Sequence, residues 1–168
     1  MQGISLRMAR PADAAAMTVM QRASWLAAYG KVLGEAPLTR LAVTAHLRVW
    51  RHRLAEPGPH PMLLCLGELV IGLLYWQPAR EGALTTARIL AFYLHPDHWC
   101  QGHGKRLWQA VAMQMRREGC ECVRLWLLDG NDIGERFYQR RGFIFDGQER
   151  TLQSFGQPCL QRQMFRLL

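Results

Sequence analysis

The sequence predicts a single α/β domain, on three observations. Short apolar runs rich in branched and aromatic residues alternate along the chain with longer stretches whose apolar residues recur at helical spacing. One of those runs ends in a glycine-bearing loop that opens directly into a basic, amphipathic helical stretch. The chain has 168 residues, 49% of them hydrophobic, and its glycines and prolines are dispersed rather than gathered into a linker, so one full core can form.

In chain order, residues 4–8 alternate apolar with polar and read as a first strand. Pro11 suits a first helical position and Asp13 a first turn, where its charge meets the positive end of the helix dipole. That helix is expected over 11–29, with Met17, Met20, Ser24, Trp25 and Ala28 near one stripe and Gly30 as its stop. Trp25 and Tyr29, four apart, read either as part of a core stripe or as a wall facing a substrate. Residues 31–37 read as a loop, and 38–55 as a second helix with Leu41, Ala45, Leu47, Val49 and Trp50 on its apolar side. Glu56-Pro57-Gly58-Pro59-His60-Pro61 stops it.

A hairpin follows: residues 62–66, a Gly67-Glu68 turn, then 69–76. Residues 77–86 read as a loose connection into the apolar strand 89–94. The next helix, 105–118, places Leu107, Trp108, Val111, Ala112 and Met115 on one face for packing against a sheet, with Gly119 as its cap. Residues 122–128 form a fifth strand. Asn131 or Asp132 can cap a further helix, in which Ile133 and Phe137 share a face and which Gly142 ends. Residues 143–145 and 160–168 read as closing strands, paired across a polar turn region at 146–158.

Twenty-one basic residues against thirteen acidic ones give a formal charge of +8, which favours anionic ligands. The basic residues are mostly scattered arginines, as at Arg48, Arg51, Arg53, Arg116-Arg117 and Arg140-Arg141, with no recognition helix or RNA-binding signature. That pattern suits a polyphosphate cofactor and argues against nucleic acid as the partner. The five cysteines are odd in number and scattered, and Cys120-x-Cys122 lacks the two-residue gap of zinc and redox pairs. They are expected to be reduced thiols in a cytoplasmic protein. No metal site, signal peptide or membrane span is expected.

The chemistry centres on the stretch from Leu94 to Leu107. Gly102 and Gly104 stand at a strand-loop-helix junction, where consecutive backbone N–H groups can face an anion and glycine keeps side chains out of the approach. With His95-Pro96 before it and a basic amphipathic helix after it, Trp99-Cys100-Gln101-Gly102-His103-Gly104 resembles the acetyl-coenzyme A signature Q/R-x-x-G-x-G/A of the GNAT superfamily of N-acetyltransferases. Trp99 stands where glutamine or arginine is usual. A second block, Asn131 followed six places on by Phe137-Tyr138 and then Gly142-Phe143, resembles the other diagnostic segment of that superfamily. Ser24 to Tyr29 also looks like the first-helix segment of its bacterial members, which borders the acceptor.

The resemblance implies a mixed, mostly antiparallel sheet flanked by about four helices, over nearly the whole chain. It implies acetyl-CoA as cofactor and transfer of acetyl to a primary amine, on a small molecule or a protein N-terminus, by direct attack in a ternary complex. Backbone groups of Phe92 and Leu94 would then bond the pantetheine amides. Main-chain N–H groups of Cys100, Gln101, Gly102, His103, Gly104 and Lys105 would hold the pyrophosphate. Asn131 would orient the pantetheine arm, and Tyr138 would serve as general acid to the departing thiolate. Homodimers are common among relatives, and no membrane is involved.

One departure concerns the base. Arg88 and Trp126 occupy the strand positions where relatives carry glutamates, which leaves Glu68, Glu81, Asp129, His95 or a backbone-held water as alternatives. The presumed acceptor walls carry few acidic residues, which disfavours a polycationic acceptor and suits an amine with its own carboxylate or a protein N-terminus. The missing carboxylates motivate an alternative, a non-catalytic acyl-CoA sensor that acts through a partner protein. A basic nucleic-acid-binding module would instead show strongly salt-dependent binding.

Overall fold

In a computed structural model that describes residues 3–40 and 43–168, the apolar runs assemble into one seven-stranded sheet. The elements are β1 (Ile4–Met8), α1 (Ala14–Leu33), α2 (Glu35–Thr39), α3 (Val43–Ala55), β2 (Met62–Leu66), β3 (Leu69–Glu81), β4 (Leu84–Leu94), α4 (His103–Arg117), β5 (Cys122–Leu128), α5 (Asp132–Gln139), β6 (Ile144–Ser154) and β7 (Gln157–Leu167). Short 3-10 turns at Pro11–Asp13 and Pro96–His98 lead toward α1 and α4. The strand order is β1-β2-β3-β4-β5-β7-β6. Every pairing is antiparallel except β4 with β5. The mixed, mostly antiparallel sheet is therefore as expected, with five helices among the described residues where about four were implied.

The central strands are buried on both faces, so their side chains divide by the two-residue period of a strand. Leu63 and Leu73 face a core built with Met17, Met20, Trp50 and Leu54 from α1 and α3. Leu64 and Leu74 face the opposite core, with Leu107, Val111 and Met115 from α4. Each such leucine contributes roughly 1.5–3 kcal/mol by leaving water. At the start of α1, the Asp13 carboxylate takes a bidentate bond from Arg7 at 2.7 and 2.8 Å and accepts the Arg10 N–H at 2.7 Å.

Several boundaries differ from the sequence reading. Helix α1 continues through Gly30 and stops at Gly34, whose φ is 79°. A glycine inside a helix costs only about 1 kcal/mol relative to alanine, and the extra turn buries Leu33 against Leu38 and Leu128. The expected loop at 31–37 is thus the end of α1 and most of α2, and Leu38 belongs to α2. Leu41 lies outside the described residues. On α3 the apolar side is narrower than expected: Trp50 and Leu54 are buried, whereas Ala45 and Val49 are exposed.

The two presumed loose stretches are strand. Residues 77–86 carry the β3–β4 ladder outward from Gln77↔Arg88 to Glu81↔Leu84, with Gly82 turning at φ 65°. Residues 146–158 hold most of the β6–β7 ladder, closed by Phe155 and Gly156 at φ 55° and 73°. Two consecutive positive φ values match the twist of a tight hairpin. Both arms run largely in solvent, so they lack the apolar alternation that marks a half-buried strand.

Candidate active site

The site begins where the sheet comes apart. Strands β4 and β5 pair only from Thr86↔Cys122 to Ile89↔Leu125. On the other side of β4, Tyr75 pairs with Ala91 and Trp76 with Ile89, so Leu90 is an extra residue in that ladder. A bulge bends its strand and sharpens its twist, and beyond Leu90 β4 no longer follows β5. Successive amides of a strand point to opposite sides. The His95 N–H donates to Ile71 O on β3 at 2.8 Å, and so Phe92 and Leu94 turn their backbone groups away from β3, into the gap beside β5. These are the two residues expected to bond a pantetheine chain.

The glycine loop closes one end of that gap. Cys100 and Gly102 both adopt left-handed backbone, at φ 58° and 81°. Left-handed residues at alternate positions turn neighbouring N–H groups to one side, as in anion-binding nests. The first N–H bonded back along α4 is that of Arg106, to Gly102 O at 3.0 Å. Those of His103, Gly104 and Lys105 therefore stand at the positive end of the dipole without intrahelical partners. No atom outside its immediate neighbours lies within 4 Å of where a Cβ at Gly102 would be, so the approach is open. At Gly104 a Cβ would fall 2.7 Å from the Phe137 ring, and this glycine is needed for α4 to meet α5.

Trp99 has its own task. Its Nε1 donates to Leu94 O at 2.9 Å, while Gln101 Nε2 donates to Asp97 O at 2.9 Å, so the loop is fastened to the end of β4. The Leu94 carbonyl is engaged in this way, and its N–H is the backbone group left facing the gap.

From α5 come the other two expected residues. Asn131 is buried and caps the helix, its Oδ1 accepting the Gly134 N–H at 3.0 Å. The amide nitrogen Nδ2 is what remains to meet a ligand. Tyr138 packs edge-on among Phe92, Phe137 and Phe143, with ring centroids 6.2, 5.4 and 5.3 Å away. Burial pushes its phenol well above the usual range, and the nearby Tyr93 adds to the rise. Burial likewise raises Tyr29, with Tyr93 and Tyr138 contributing. Three phenols from α1, β4 and α5 therefore lie close enough to oppose one another's ionisation across the opened sheet.

On the α1 side lies a cavity of about 590 Å³ between α1, β4, β5 and the β6–β7 arm. Trp25 and Tyr29 line it, and both also pack into a small core with Leu33 and Leu38, so the two readings of this pair hold together. Trp25 meets Tyr93 and Phe155 edge-on at 5.8 and 5.1 Å. Arg88, Arg124, Arg150, Trp126 and the imidazole of His46 are also on its wall.

The candidate bases fare differently. Glu81 is tied to Arg88 at 2.7 Å and to Arg124 at 2.9 Å. Glu68 is exposed in the β2–β3 turn, Asp129 stands 3.9 Å from Arg162, and His95 lies 3.7 Å from Asp97. None of the four lines the cavity, and nor does any other carboxylate among the described residues. The contribution of the β6–β7 arm, above all Arg150 and Phe155, has no counterpart in the sequence reading, because 146–158 lack a strand pattern. The paired positive-φ positions ahead of Gln157 were the available signal, through Gly156.

An anion-binding nest at the head of a helix, beside a strand with open amides in a splayed sheet, offers places for a pyrophosphate and for an extended amide chain. The chain belongs to the acetyltransferase (GNAT) family, whose model matches residues 24–143, and is an acetyl-CoA-dependent acetyltransferase. No curated protein matches it in sequence. Among solved structures it is similar to the PaiA N-acetyltransferase of Thermoplasma acidophilum in complex with coenzyme A, at TM-score 0.79 and 17% identity over 99% of both chains. It is also similar to YncA of Salmonella typhimurium, solved with its cofactor acetyl-CoA, at TM-score 0.67 and 20% identity over 98% of this chain and 93% of that one. The ribosomal-protein-S18-alanine N-acetyltransferase of Escherichia coli gives TM-score 0.69 and 12% identity over 98% and 94%. At these identities the likeness is one of fold.

Proposed function

We propose that the protein moves acetyl from acetyl-CoA to a primary amine by direct attack within a ternary complex. The observation that carries this reading is the meeting of three parts at the β4–β5 splay: open strand amides, the nest, and a cavity lined by two of the three buried phenols, Tyr29 and Tyr93. When bound, the cofactor supplies an acetyl thioester open to attack by a neutral amine.

The chain's own residues divide the remaining work. The backbone of Phe92 and Leu94 binds an extended chain as an added strand would. The loop from Cys100 through Gly102 and the N–H groups of His103, Gly104 and Lys105 hold a pyrophosphate. Asn131 orients the arm through Nδ2. Tyr138 holds a proton for the departing sulfur, its desolvated setting keeps that proton in place until a comparably desolvated thiolate forms, and the proton that the attacking nitrogen sheds as it becomes an amide restores the phenol.

The acceptor must arrive neutral. For an alkyl amine of pKa about 10.4, deprotonation at pH 7 costs roughly 4–5 kcal/mol. The cavity wall offers no carboxylate for that proton, and His46 is the imidazole on it, so the amine arrives neutral from solvent or gives its proton to His46. Titration of thermal stability with acetyl-CoA, free coenzyme A and ATP tests the binding half of the reading. At 100 times its Kd a ligand specific to the folded state adds about 2.7 kcal/mol. A shift with both coenzymes and none with ATP is expected, followed by thiol release on addition of amine. Binding without thiol release for any amine would replace this reading with that of an acyl-CoA sensor.

A further inference from the structure

The cavity's charges do not cancel. Arg88 and Arg124 share Glu81, and Arg124 also holds Asp146 at 2.7 Å. Arg150 has no carboxylate partner among the described residues. Its Nε donates to Gln161 Oε1 at 2.8 Å, and its guanidinium carbon lies 4.3 Å from the centre of the Trp126 ring. The stack and the hydrogen bond fix the plane of the guanidinium and leave its two terminal nitrogens for a ligand. It stands exposed on the cavity's rim without a carboxylate partner among the described residues, a cation that gains from an anionic guest.

We infer that Arg150 selects the acceptor: a small primary amine that carries its own carboxylate, which takes a bidentate bond from Arg150 while its amine points to the β4–β5 splay. This rests on the transferase reading above and names its substrate class. A cavity of about 590 Å³ is the size of small-molecule sites. Phe155, in the turn of the β6–β7 hairpin, packs on Trp25 and takes up part of the cavity wall beside it. Trp25, Tyr29 and Trp126 offer apolar faces to the body of the guest, whereas a polyamine would bring further positive charge to Arg150 and find no carboxylate on the wall.

The test measures calorimetric binding, in the presence of free coenzyme A, of α-amino acids and of the amines left when their carboxylates are removed, with an amidated tripeptide as a further probe. At least one amino acid should bind tenfold or more tightly than its decarboxylated partner and than the tripeptide. Arg150→Gln should weaken that amino acid roughly ten- to a hundredfold while leaving coenzyme A affinity unchanged. Arg150→Lys should recover part of the loss, because it restores the charge without the fork. Equal binding of acid and amine, failure of every amino acid to bind, or an Arg150→Gln effect that falls equally on acid and amine would each overturn the inference. Acetyl transfer to the same ligands is scored separately. Carboxylate-selective binding without transfer refutes the transferase reading and leaves the assignment of Arg150 standing, whereas transfer to the amine as fast as to the acid does the reverse.

Discussion

At the scale of the residue, the sharpest expectation concerns Tyr138. Its ring is held on three sides by Phe92, Phe137 and Phe143, so Tyr138→Phe removes an oxygen and little packing. Turnover in single-turnover kinetics should fall by roughly 10²–10⁴ with acetyl-CoA affinity nearly unchanged, and an unaltered chemical step would dismiss Tyr138 as the acid. The two loop glycines should part company when each is changed to alanine. Gly102→Ala meets open space but a left-handed backbone, and should cost about 1–2 kcal/mol through that strain. Gly104→Ala drives a methyl against Phe137 and should cost about 1–3 kcal/mol by overpacking. Denaturant unfolding compared with coenzyme A titration separates them, since only the first distorts the nest directly. Both glycines were legible in the sequence because a motif specifies them. The partner of Trp99 was not, since nothing in the spacing shows an indole reaching back to the carbonyl of Leu94.

At the scale of the element, the β6–β7 hairpin walls the cavity proposed for the acceptor while standing apart from the glycine loop. Its turn holds Phe155 at φ 55°, a conformation that asparagine adopts more readily than phenylalanine. Phe155→Asn should therefore relieve the backbone while giving up the ring contacts with Trp25 and Tyr29, raise KM for the acceptor severalfold by uncovering Trp25, and leave KM for acetyl-CoA unchanged. An equal rise in both constants would contradict this division of labour. The hairpin escaped the sequence because its residues lie mostly in solvent, where pairing needs no apolar alternation. The same is true of the outer β3–β4 ladder. Strands buried on both faces, β2 and the inner half of β3, were readable for the opposite reason: dense apolar runs have few other fates. Helix α1 shows a third case, in which tertiary burial of Leu33 overrides the local signal of Gly30.

At the scale of the whole molecule, the buried phenols link stability to alkaline pH. Tyr29, Tyr93 and Tyr138 are all raised in the folded protein, chiefly by burial. Above pH 10 the unfolded chain gives up these protons and the folded chain keeps them. Their contribution is therefore complete below the ordinary tyrosine range and declines as pH rises beyond it, by about 1.4 kcal/mol per pH unit for each tyrosine. Guanidinium unfolding between pH 9 and 11 should show this loss, and Tyr138→Phe should make it shallower. A mutant with the wild-type slope would show that Tyr138 ionises normally. Activity should run the other way at moderate pH, rising tenfold per unit toward the acceptor amine's own pKa where the neutral amine comes from solvent, and levelling off earlier where His46 on the cavity wall takes the proton.

The parallel β4–β5 contact has a consequence for motion. Four residue pairs form the only strand-to-strand join between the antiparallel block β1–β4 and the antiparallel block β5–β7 among the described residues. A guest chain lying along Phe92 and Leu94 would lengthen that seam beyond Ile89. Amide hydrogen exchange in the last residues of β4 and β5, which lie where the seam frays, should therefore slow on cofactor binding more than exchange at the already paired centre of β2 and β3. In this protein the ligand would act as a missing piece of secondary structure, so the enzyme's two halves would be most firmly one body only while it holds its cofactor.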